Sequence, residues 1–112
     1  MSDIPQKLVI VITDDDSADA LIGELVDRGY PATKVSSTGG FLRRGSATIL
    51  SGIEAAEIDT VMEIIRTECK ARVEMAPALA MPLPGIYPTP PTELRVGGAI
   101  IFVLPVERFE KT

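Results

Sequence analysis

Six prolines, Pro77, Pro82, Pro84, Pro88, Pro90 and Pro91, crowd one stretch of this chain and limit its fold more than any other feature. Proline brings no backbone donor to a helix interior or a central strand, and its ring clashes with the preceding turn of a helix. Residues 76–92 are therefore expected to form a long loop, which is uncommon in compact domains and often functional. Regular structure must come from the flanks. At 112 residues the chain suffices for one core, which removes roughly two-thirds of the unfolded surface from water.

Ahead of the prolines the apolar pattern changes period several times. Lys7-Leu8-Val9-Ile10-Val11-Ile12 is a β-branched run that predicts a buried strand. Asp14-Asp15-Asp16-Ser17 then offers capping side chains and negative charge where a helix N-terminus favours both; capping is the plainer reading of this cluster, a cation site the other. Ala18, Leu21, Ile22, Leu25 and Val26 keep the spacing of one helical face, and Gly29 suits the position just past its end. Ala32 to Ser37 is extended in character, and Ala47 to Ile53 predicts a third strand, so the pair around the intervening loop reads as a hairpin. A second helix is expected from 55 to about 71, with Ile58, Val61, Met62, Ile65 and Cys69 on its apolar stripe. After the proline segment a last strand is expected over Val96 to Val103, with Gly97-Gly98 allowing a bulge or close backbone approach. The resulting order, βαββαβ, predicts an α+β, ferredoxin-like sandwich with both helices on one face of an antiparallel sheet. The other face, rich in Val and Ile, needs a cover, and a further subunit is the natural one.

Composition removes several function classes. A net charge of −5 disfavours nucleic acid polymers, whose binding rests on many Lys and Arg contacts to phosphate. There is no histidine, so a catalytic triad, a His-based metal centre and a proton shuttle near neutral pH have no carrier. Cys69 is the single cysteine. It cannot form an internal disulfide and, with no His to activate it, reads as a packed small hydrophobe. The stretch Met1 to Lys7 is polar as a whole and the apolar run after it is too short for a signal peptide or a membrane span, so a cytoplasmic, non-membrane protein is expected.

One stretch carries chemistry. Thr38-Gly39-Gly40-Phe41-Leu42-Arg43-Arg44-Gly45-Ser46 combines three glycines, whose N–H groups can converge on an anion, with two arginines in an otherwise acidic chain. Lys34 lies nearby in sequence. Phe41 stands in this polar loop where no core periodicity requires it, and an aromatic face beside backbone donors and arginines suits a nucleotide. The P-loop pattern is absent. A plain hairpin whose Phe41 tucks under the sheet or into a neighbouring subunit fits the same composition.

The block Ala32-Thr33-Lys34-Val35-Ser36-Ser37-Thr38-Gly39-Gly40-Phe41-Leu42-Arg43-Arg44-Gly45, Gly52 within Ser51-Gly52-Ile53, and the ending Val96-Gly97-Gly98-Ala99-Ile100-Ile101-Phe102-Val103-Leu104-Pro105-Val106-Glu107-Arg108-Phe109 resemble the PII-like cyclic di-AMP receptors. The resemblance extends over essentially all of residues 1–112. It implies a single PII-like domain with a nucleotide-binding loop at 38–46, assembled as a homotrimer, with ligand held between adjacent subunits. It also implies no catalysis and no cofactor, with loop changes read by a downstream protein that the sequence does not identify. By matching position, Thr33, Gly40, Phe41, Leu42, Ser46, Gly52 and Phe102 would line the site, the two phenylalanines offering apolar surface to the adenines. Three positions depart from the family pattern. Pro31 replaces a basic residue, Ser46 replaces an Asn that reaches an adenine edge, and Lys111 replaces a polar Gln in the tail. These departures imply weaker binding of cyclic di-AMP or a different adenine nucleotide. ATP or ADP bound to the same trimer is the second reading, and a ligand-free module that docks a protein is the third.

Overall fold

The computed structural model describes residues 4–36, 45–76 and 92–112. Strand β1 (Lys7–Asp14) leads into helix α1 (Asp15–Asp27), followed by β2 (Thr33–Ser36) and β3 (Ser46–Ile53). A turn of 3-10 helix (Ala55–Glu57) opens into α2 (Ile58–Glu68), and the chain continues through β4 (Arg72–Ala76), β5 (Thr92–Val96) and β6 (Ala99–Pro105). The main sheet runs β2-β3-β1-β6, with every neighbouring pair antiparallel. This is an α+β arrangement compatible with a ferredoxin-like fold, with β6 as its fourth strand. No helix among the described residues is long and apolar enough to cross a membrane.

Strand alternation divides the sheet into two chemically distinct faces. Val9, Val11, Ala47, Ile49 and Ile53 point to the helices and are fully or almost fully buried. Ala18, Leu21 and Leu25 of α1 meet them, as do Val61, Ile64, Ile65 and Cys69 on α2 and its end. Ile22 is half-buried against this core, whereas Val26 is exposed. Successive helix residues diverge by about 100°, so with Leu25 aimed at the sheet Val26 falls outside the buried stripe. Asp14 caps α1, its Oδ2 accepting from the Ser17 N–H at 3.0 Å. Gly29 ends it as expected, with φ at +86° and its N–H donating to the Val26 carbonyl.

The C-terminal half departs from the sequence reading in three places. α2 ends at Glu68, with Cys69 as its C-cap, instead of running to 71. Strands β4 and β5 were not expected. They pair with each other as a separate antiparallel ribbon flanking the proline segment, so the expected loop at 76–92 has paired strands at both ends. Residues 77–91 lie outside the described residues. The last strand of the main sheet also starts later, at Ala99, because Gly97 and Gly98 both take φ of +77° and break the chain's extended course between β5 and β6.

That break is fixed to the body. The Gly98 N–H donates to the Cys69 carbonyl at 2.6 Å, and the buried Thr13 hydroxyl donates to the Gly98 carbonyl at 2.7 Å. A side chain at Gly97 would place its Cβ 2.5 Å from the Lys70 carbonyl oxygen, so the close backbone approach is real and only glycine permits it.

Candidate functional site

The face of the sheet turned away from the helices carries every described residue assigned to the site. Register aligns Thr33 with Leu50, Leu50 with Ile10 and Ile10 with Phe102, a single row across all four strands. The next row holds Gly52, Leu8 and Leu104. Ser46 pairs with Asp14 at the other end of β3 and shares the same face, being half-buried at the foot of the 37–44 segment. Gly40, Phe41 and Leu42 lie outside the described residues.

This face is largely apolar and, among the described residues, has no helix over it. Val35, Ile100, Phe102 and Leu104 are exposed, Phe102 to half of its surface, while Leu8, Ile10, Ile12 and Leu50 are only half-buried. Thr33 and Phe102 occupy one row yet sit on the two edge strands, three strand spacings or about 14 Å apart. Within one subunit they do not converge.

The C-terminal foot of the loop is tied to the first helix. Gly45, at φ +84°, accepts from the Asp15 N–H through its carbonyl at 2.8 Å. Burial acts to raise the Asp14 carboxyl, but its hydrogen bonds with Ser17 and its own backbone, with help from the Arg72 charge, bring it below the usual value. It stays ionised in its capping role. Arg43 and Arg44 lie outside the described residues; Lys34, near them in sequence, belongs to β2. Alternation turns it to the helix side, where its Nζ donates to Asp19 Oδ1 at 3.0 Å and lies 3.6 Å from Asp15 Oδ1. The Asp19 hydrogen bond holds its ammonium above the ordinary lysine value.

Cys69 is buried, and desolvation pushes its thiol up against the lowering effect of the Thr13 hydroxyl. That is the behaviour of a packed thiol rather than a nucleophile. A cavity of about 480 Å³ opens on the helix side, lined by Glu24, Arg28, Asp59, Glu63 and Glu68 among others. Its carboxylates outnumber its one guanidinium, which is already paired with Glu24, so it does not suit an anionic ligand.

Sequence reasoning overlooked Pro5. Its ring packs on Gly52, so close that a Cβ there would lie 2.9 Å from Pro5 Cβ. No periodicity signals this contact, since Pro5 precedes the first strand. Nor does spacing alone identify Ile10 and Leu50 as the middle of the row, because the order of the strands decides it.

The fold is thus an antiparallel α+β domain with an apolar sheet face and candidate binding residues at both edges of that face. A family model described as cyclic-di-AMP receptor matches residues 6–112, and the chain belongs to the cyclic-di-AMP receptor family. It is also similar to a functionally unknown protein from Pediococcus pentosaceus ATCC 25745, whose crystal structure matches with a TM-score of 0.74 at 38% sequence identity, covering 97% of this chain and 99% of that one.

Proposed function

We propose that this chain is a non-catalytic signal-transduction receptor that binds cyclic di-AMP in the clefts between adjacent subunits of a PII-like homotrimer. One observation carries the reading: Thr33 and Phe102 share a sheet face but stand on opposite edge strands. A closed head-to-tail ring brings β2 of one subunit beside β6 of the next, so each cleft receives one edge from each partner. The exposed apolar side chains of the same face supply the surface that such a ring buries.

In this cleft Phe102 and Phe41 offer surface for the adenines, Thr33 a hydroxyl, and the backbone around Gly40 and Leu42 donors for phosphate. Ser46, at the loop's foot, has a shorter reach than Asn and meets a base edge through water. The 38–46 loop and the segment between β4 and β5 would then change conformation for a downstream protein to read. The lone, buried thiol suits the reducing cytoplasm.

Calorimetric titration with cyclic di-AMP, cyclic di-GMP, ATP and ADP tests this. Cyclic di-AMP is expected to bind tightest. Binding of ATP or ADP with no response to cyclic di-AMP would transfer the cleft to a mononucleotide.

A further inference from the structure

Thr13 and Asp14 close β1, and the chain returns to them twice. The register sets Thr13 between Ala47 and Ala99, and Asp14 opposite Ser46. Those neighbours open β3 and β6. The corner from β1 into α1 therefore lies beside the foot of the loop, at Gly45 and Ser46. It lies equally beside the foot of the β4–β5 ribbon, at Gly98.

Each foot is held at this corner by its own bond. At the ribbon, the Gly98 N–H donates to the Cys69 carbonyl at 2.6 Å, which gathers the chain entering β4 and the chain leaving β5. Thr13 fixes that junction to the sheet. Its side chain is buried and has one hydroxyl proton, which the Gly98 carbonyl takes at 2.7 Å. Asp14 Oδ1, at 3.5 Å, is at the outer limit of a hydrogen bond and does not compete. The charge of Arg72, the first residue of β4, also reaches Asp14. At the loop, the Asp15 N–H donates to the Gly45 carbonyl at 2.8 Å. Three consecutive residues thus hold both feet.

We infer that this corner couples the loop foot to the ribbon, with the Thr13 hydroxyl as the positioning group that passes a shift at Gly45 on to Gly98. A rigid strand end suits the task, because packed elements shift between discrete arrangements and do not deform continuously. The coupling needs no ligand. Its use in signalling rests on the proposed receptor reading.

Hydrogen exchange of the β4 and β5 amides tests this, with α2 as the internal reference. Thr13→Val keeps the shape and removes the hydroxyl, leaving the Gly98 carbonyl without its donor, so ribbon exchange should rise about tenfold. Thr13→Ser, which keeps the hydroxyl, should exchange as the native chain does. Gly45→Ala strains the loop foot through φ of +84° alone, since its Cβ would meet no atom of the described residues within 4 Å. In the native background Gly45→Ala should speed ribbon exchange about threefold, and in the Thr13→Val background it should add nothing. Native ribbon exchange in Thr13→Val would overturn the inference. So would a Gly45→Ala effect on the ribbon that is absent, or equal with and without the hydroxyl. Cyclic di-AMP should protect the ribbon of the native chain and of Thr13→Ser, but not that of Thr13→Val. Binding that leaves native ribbon exchange unchanged would keep the receptor and remove the corner from its signalling. A chain that ignores cyclic di-AMP would end the receptor reading, while the ligand-free exchange still decides the coupling.

Discussion

Asp14 joins two parts of the molecule, because it ends β1 opposite Ser46 and caps α1 through Ser17. Replacing it with Ala should destabilise the fold by about 0.5–2 kcal/mol, read by chemical denaturation, while Asn, an equally good cap, should change little. Since its folded carboxyl lies below the ordinary aspartate value, its charged-state contribution is complete above about pH 4. It should fade only as pH falls through the lowered value, with no change between pH 6 and 8. The capping role was readable from Asp14-Asp15-Asp16-Ser17 alone, because capping is a local interaction. The orientation of Lys34 was not: its partners Asp15 and Asp19 are reached only once β2 is docked beside α1.

Among the elements, those governed by a single period were legible. β1, α1 and β3 form where a short apolar run or helical spacing predicts them, since each buries one continuous apolar face. The ribbon of β4 and β5 was not legible. Its two strands are separated by the proline segment, and their pairing follows no pattern within either five-residue stretch. Gly97-Gly98 was recognisable as a special backbone site, yet its anchor at Cys69 and Lys70 came only with the third dimension. The two glycines should respond differently to substitution. Gly97→Ala meets both an unfavourable φ and the Lys70 carbonyl at 2.5 Å, whereas Gly98→Ala meets the same φ with ordinary space, 3.6 Å from Ala71 Cβ. Denaturation should show a loss of about 1–3 kcal/mol for Gly98→Ala and a larger loss for Gly97→Ala. Equal losses would mean that the Lys70 contact has no consequence.

For the whole molecule, the sequence nominates residues for a candidate site but does not say how far apart they stand. Thr33 and Phe102 come from two separate blocks of the sequence, and only the strand order β2-β3-β1-β6 sends them to opposite edges. In the proposed cleft that separation makes assembly a condition of binding, and it can be tested by mixing subunits. Thr33→Ala and Phe102→Ala homotrimers should each bind cyclic di-AMP about 1–3 kcal/mol more weakly than the native chain, the range for losing one hydrogen bond or one stacked ring. In trimers assembled from both variants by co-expression, about a quarter of the clefts receive Thr33 from one subunit and Phe102 from the next, by random placement around a closed ring. A cleft shared between subunits predicts that this fraction of sites regains native affinity in a calorimetric titration, although neither variant binds tightly alone. Mixed trimers with no high-affinity sites, or a native chain that binds cyclic di-AMP as a monomer, would contradict it.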